Sequence, residues 1–267
     1  MKTTQSTPLA HRHRSHKRHR SRASTPGATP AQIATSPSAA SSRSGRWKVI
    51  GHSVRGQQIR AYVVGGTAAP LPVLVVGCVH GNEPAGEAIT RQLRNTKPPP
   101  GVALWLVDEF NPDGCQANTR QNARGVDLNR NSPWHWRPLD HLGGTYYSGP
   151  GPLSEPESKA INRLVIRLRP AISIWYHQHA ALVDHSSGGD PTIERRYAEL
   201  VGLPFSDYGR EPGSIATWQD QTFPGATAFV VELPAGPLSA QSVVRHVSAV
   251  LAIAGGGGSA AGNAPGD

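Results

Sequence analysis

Four stretches of the chain are apolar but for Ser173, centred on "VLVV" at 73–76, which has no polar face, "VALWLV" at 102–107, "ISIWY" at 172–176 and "AFVV" at 228–231. Runs of this length, rich in β-branched and aromatic residues, read as strands buried on both sides of a sheet. They predict strands over 71–80, 102–110, 171–177 and 227–234. Between them the apolar period changes to that of a helix. Pro84 suits a first helical turn, and Ala85, Ile89 and Leu93 follow at helical spacing. "SEPESKAINRLVIRLR" opens with Ser154 and Glu157 in capping-box spacing and continues through Ile161, Leu164, Val165 and Leu168. "SAQSVVRHVSAVLAIA" predicts a final helix over 239–254. Ahead of these, residues 47–65 read as a hairpin around a turn at Val54–Gly56. Strands alternating with helices over this length predict an α/β fold: a single domain with a central mixed, largely parallel sheet flanked by helices.

Residues 115–153 break the pattern, being rich in Asn, Arg, Gly and Pro without periodicity. A loop that long inside a domain is usually functional. The ends of the chain break it differently. Residues 1–46 hold 9 of the 27 Lys+Arg and none of the 18 Asp+Glu. The rest therefore has 27 − 9 = 18 basic residues against 18 acidic ones, and the formal charge of +9 lies in the tail. We expect residues 1–46 to be a disordered His/Arg/Ser-rich tail, 47–254 the catalytic domain and 255–267 a flexible Gly-rich end. The tail suits weak binding to polyanions, and no specific nucleic acid is expected. It holds no apolar h-region, and no run of ~20 apolar residues occurs. The expectation is a monomer without a membrane span, cytoplasmic, with export as the alternative. Two cysteines, Cys78 and Cys115, make no disulfide framework; a single bridge between them stays open.

Candidate chemistry sits at the predicted strand ends, where open α/β sheets place their ligand sites. His80 and Glu83 follow the first buried strand, His177 ends another and Glu232 lies in "FVVELP". An imidazole and a carboxylate three residues apart in a tight turn can share one metal ion at about 2.0–2.2 Å, though for a bare H-x-x-E a helix-capping Glu83 beside a backbone-bonded histidine is the commoner reading, and the rest of the chain must supply the other ligands. His177 would complete a His, Glu, His set that leaves one position open for water, and Glu232 would take a proton from that water. His177 and His179 are two apart in a strand and so share a face, which keeps His179 in play.

Taken together, "HGNE", "NPDG", "TRQNARGVDLNRN", "SEPES" and "VELP", in that order, resemble the zinc metallocarboxypeptidases, the carboxypeptidase A superfamily, and within it the murein peptide amidase-like branch. The resemblance runs from about Trp47 to about Ala254. It implies one zinc ion per chain held by His80, Glu83 and His177, with His179 beside them. Glu232 then acts as general base and acid, and Arg120 polarises the scissile carbonyl, with Arg124 in reserve. Asn129 and Arg130 hold a substrate carboxylate, Tyr208 covers the substrate, and Ile215, Ala216 and Thr217 line the side-chain pocket. The implied reaction is zinc-dependent hydrolysis of an amide next to a residue with a free carboxylate. The implied substrate is a peptide or muropeptide cut between γ-D-glutamate and diaminopimelate, with Arg210, Glu211 and Asp220 available to a polar side-chain end. A general carboxypeptidase of broad specificity and a non-catalytic peptide- or polyanion-binding module are the alternatives.

Overall fold

In the strand β3 (Leu71–Cys78) the uninterrupted apolar run divides by period two, Val73 and Val75 facing one layer of helices and Leu74 and Val76 the other. That is why the run carries no polar face. The computed structural model describes residues 45–66 and 69–256, so the expectations for residues 1–44 and 257–267 lie outside the described residues. Around β3 lies a seven-stranded sheet in which β1 (Arg46–His52), β2 (Gln58–Val64), β4 (Val102–Glu109), β3, β5 (Ile172–Asp184) and β6 (Phe205–Ser206) follow one another, with β7 (Thr227–Pro234) also paired to β5. The β1–β2 and β2–β4 pairs are antiparallel; the other pairs are parallel. The predicted mixed, largely parallel sheet is therefore present.

Helices α1 (Glu87–Leu93), α4 (Pro191–Val201) and α6 (Ala240–Gly256) cover one face through Ile89, Leu93, Tyr197, Val201, Val250 and Ile253. On the other face α3 (Pro156–Leu168) and α5 (Ile215–Thr222) bring Ile161, Leu164, Val165, Ile215 and Trp218. The short α2 (Pro112–Ala117) starts in the predicted "NPDG" turn, where the Asn111 side chain accepts the Gly114 N–H at 3.0 Å. The capping box at 154–157 does not form. Pro156 occupies the first turn of α3, which makes Glu155 the cap residue, and Glu157 instead accepts the Val54 N–H of the first hairpin at 2.9 Å. Among the described residues no helix is long and apolar enough to cross a membrane.

Sheet order decides where chemistry can assemble. Strands β3, β5 and β7 are parallel neighbours, so their C-terminal ends lie side by side. His177 and Glu232 are direct partners across the β5–β7 pair.

Candidate active site

Beyond Cys78 the chain turns at His80, closes a 3-10 turn over Pro84–Gly86 and enters α1, which brings Glu83 back under His80. His80 Nδ1, Glu83 Oε2 and His177 Nδ1 form a triangle with all three edges 3.0 Å. All three residues are buried. Behind His80, its Nε2 lies 2.9 Å from Asp127 Oδ1. That carboxylate accepts the ring's Nε2 proton, so Nδ1 is the atom turned to the carboxylate of Glu83 and to the second imidazole, where it holds a proton shared with Glu83 or, once that proton leaves, a lone pair for a metal ion. Three ligand atoms converging in a buried spot suit a cation, whether a proton or a metal ion. The donor set, two imidazoles and a carboxylate, is that of a catalytic zinc site with an open position.

Electrostatics agrees with the geometry. Burial pushes the Glu83 carboxyl up, but hydrogen bonds from His177 and His80 outweigh it and hold it well below the usual carboxylate range. For Asp127 burial is likewise overcome, by His80 and then by Arg120, and it too is held ionised. Burial lowers the His80 pKa while Asp127 and Glu83 raise it, with a net rise. The negative field that draws a proton to His80 would draw a metal ion as well.

Arg120 leaves the 115–153 loop and reaches this cluster. Its Nε and one terminal nitrogen donate to Asp127 Oδ2 at 3.0 and 2.9 Å, and the other donates to Glu83 Oε1 at 3.1 Å. Arg124, the reserve candidate, is exposed and pairs with Glu155 at 3.6 Å, away from the cluster. A 3-10 turn over Leu128–Arg130 presents the next two candidates. Asn129 accepts the Ile215 N–H at 3.1 Å, with its amide nitrogen 3.5 Å from His177 Nε2. Arg130 is buried, and its guanidinium lies 3.7 Å from Glu211 and over the Tyr146 ring. Gly213 packs on this turn: at its φ of +75° it leaves room where a Cβ would fall 2.1 Å from the Arg130 carbonyl oxygen.

His80, Glu83, Arg120, Asn129, Arg130, His177, Tyr208 and Glu232 all line one cleft of about 720 Å³. Glu232 is half-buried beside His177 and accepts the Ala180 N–H at 3.4 Å. Tyr208 is exposed at the rim, its backbone N–H donated to Asp184 at 2.9 Å. His179 lines the same cleft as His177 but is exposed and stands outside the triangle.

Ile215 departs from the expectation. As the first residue of α5 it packs into the core and contributes only its N–H to Asn129, while Ser214, Ala216 and Thr217 line the cleft. Of the polar trio, Glu211 lines the cleft; Arg210 bonds the Ser186 carbonyl, and Asp220 is buried and accepts the Ala228 N–H at 2.7 Å.

Sequence reasoning passed over three residues. Asp127 orients His80, and its only signal was an acid two places before Asn129. Asp184, at the cleft wall, accepts from both the backbone N–H and the hydroxyl of Ser186 at 2.9 and 2.8 Å. Gln178 accepts the Ala85 N–H and donates to the Pro234 and Gly236 carbonyls, tying the β3 turn to the end of β7.

The zinc carboxypeptidase family model matches residues 38–192, more than half of the chain. Murein peptide amidase A of Escherichia coli K12 is 32% identical over 160 residues, spanning 54% of this chain and 64% of that protein. The chain thus matches less than two thirds of the length of that relative. Murein peptide amidase A of Vibrio campbellii is 30% identical over 200 residues, 67% of this chain and 76% of that one. Among solved structures, the murein-tripeptide amidase MpaA of Escherichia coli O157 superposes with a TM-score of 0.62 at 24% identity, covering 83% of this chain and 93% of that chain, which is a likeness of fold. Through the extent of the family match and the Vibrio relative, this chain belongs to the zinc carboxypeptidase family.

Proposed function

We propose that the chain is a zinc-dependent peptide amidase which hydrolyses the amide before a terminal residue bearing a free carboxylate, in the manner named for its murein peptide amidase relatives. The observation that carries the reading is the 3.0 Å triangle of His80, Glu83 and His177 opening into the same cleft as Glu232, Arg120, Asn129 and Arg130. His80, Glu83 and His177 would hold one zinc ion per chain. Zinc there supplies Lewis-acid polarisation of the scissile carbonyl and acidifies water. Glu232 accepts a proton from the attacking water and passes it to the leaving nitrogen. Arg130, with Asn129 beside it, receives the terminal carboxylate through charge-assisted hydrogen bonds. Arg120 adds positive charge next to the developing oxyanion. Tyr208, at the rim, closes over the bound peptide.

The finer assignment, cleavage between γ-D-glutamate and diaminopimelate, rests on the charge pattern of the cleft. Diaminopimelate ends in a second amino and carboxylate pair, and the cleft wall offers Asp184 and Glu211 as acceptors, Glu211 lying 3.7 Å from the Arg130 guanidinium.

The test is a product assay by mass spectrometry, with zinc-loaded protein given equal amounts of L-Ala-γ-D-Glu-diaminopimelate and a mixed set of ordinary peptides, and Glu232→Gln as the blank. Release of diaminopimelate alone is the expected result. Release of ordinary terminal residues alone would replace the amidase with a general carboxypeptidase. No release from either would leave a binding protein.

A further inference from the structure

Besides the triangle, one other group of metal-ligand-type side chains gathers among the described residues: Cys78, Cys115 and Glu87. The two sulfurs face each other at 3.0 Å across 37 positions of sequence. Cys78, the last residue of β3, is fully buried and donates its S–H to the His80 carbonyl at 3.0 Å. Cys115, in α2, is half-buried and lines a second cleft of about 340 Å³ with Glu87, Glu109 and Gln57. The two backbones are already docked. A Cβ on Gly81 would fall 1.9 Å from the Gly114 carbonyl carbon and 2.2 Å from the Cys115 nitrogen. Closing the sulfurs to the bonded distance of about 2.0 Å therefore needs a side-chain adjustment of about 1 Å.

We propose that Cys78 and Cys115 are a redox-active pair that a small-molecule disulfide oxidises to an intrachain bridge, joining the His80–Glu83 turn to α2. Cys115, reachable from the second cleft, attacks the reagent's disulfide and expels one thiol, leaving a mixed disulfide. The Cys78 sulfur then displaces the second thiol from Cys115. One protein S–S bond forms at the expense of two S–H bonds, the reagent's S–S bond is broken, and two electrons and two protons leave in two thiols. A metal is the weaker occupant of this spot. Thiolates on one zinc at about 2.3 Å lie about 3.8 Å apart in a tetrahedron. The sulfurs are closer than that, and the Glu87 carboxylate is taken by Arg91.

The bridge ties the segment carrying His80 and Glu83 to the segment leading to Arg120, so its signature is a stiffer site end. The test uses full-length, zinc-loaded protein incubated with oxidised glutathione or with a phosphine reductant, then denatured, alkylated and weighed. In the oxidised sample neither cysteine takes label, the mass falls by two hydrogens and a linked Cys78–Cys115 peptide appears. The Tm of that sample lies about 5–10 °C above the reduced one. Cys115→Ser, at the half-buried position, abolishes both the linked peptide and the Tm difference. Full labelling of both cysteines after oxidation overturns the proposal. So does glutathione retained on Cys115, a disulfide dimer, or a second zinc equivalent that Cys115→Ser removes. None of these readouts depends on which amide the protein cleaves.

Discussion

Two groups of buried carboxylates sit in one frame and are shifted in opposite directions. Beneath His80, Glu83 and Asp127 are desolvated, yet His177, His80 and Arg120 keep both ionised. Behind the cleft wall, burial with the charges of Asp220, Asp184 and Asp190 pushes Glu194 up to about 8. Burial pushes Asp220 up to about 7 despite the Ala228 N–H and the charge of Arg210. Glu194, on α4, has both carboxyl oxygens without a hydrogen-bond partner among the described residues. Burial thus leaves ionised acids where histidines and arginine converge, and acids whose ionisation is pushed up where other acids are the neighbours. An acid's neighbours, and not its depth, mark the site.

The comparison breaks first at Glu83. Glu83→Gln removes an anionic corner of the triangle, and we expect zinc affinity and turnover to fall more than about 100-fold, beyond what losing an outer partner costs. Metal analysis after dialysis checks it; retained zinc would mean that the triangle is not the site. Asp127→Asn, which leaves His80 in place but loosens its ring, should cost about 10–100-fold in zinc affinity. Circular dichroism should be unchanged. Arg130→Ala should lower kcat/KM about 10–100-fold, by loss of a charge-assisted hydrogen bond of about 1.5–3 kcal/mol, and only for substrates with a free carboxylate. Equal loss on an amidated substrate would remove Arg130 from its assigned role.

The smallest effect concerns pH and has opposite signs in the two clusters. Glu83 and Asp127 are held below their ordinary values of 4.5 and 3.8, so their contribution is present above those values and is lost as pH falls through the folded pKa. For Glu194 the folded pKa is raised from 4.5 to about 8. Below pH 4.5 both states are protonated; above it the unfolded chain ionises first, so stability declines until about pH 8. Glu194→Gln should flatten that decline, by a few degrees of Tm, leaving zinc content unchanged.

Strands β3, β4 and β7 were legible within two residues because a strand buried on both faces must be apolar throughout. Helix α4 was not recognised, although Asp190 caps it, Pro191 begins it and Gly202 ends it at φ of 69°. Ile193, Tyr197, Ala198 and Val201 give it an apolar face at helical spacing that the reading of the sequence passed over. Helix α5 is only eight residues long and buried over its first six, so no amphipathic period marks it, and Ile215 was read as pocket instead of core. The metal candidates were legible because His80 and Glu83 lie in the turn after β3 and His177 follows the apolar run of β5, although that strand does not end at His177 as expected but continues to Asp184. Asp127 and Gln178 act on groups 47 and 93 residues away, and only the folded chain brings such pairs together.

The most direct test of the central claim is zinc stoichiometry measured side by side on wild type, Glu83→Gln and Glu194→Gln. The account predicts one zinc per chain in wild type and in Glu194→Gln, and none in Glu83→Gln. Zinc kept by Glu83→Gln, or lost from Glu194→Gln, would contradict it.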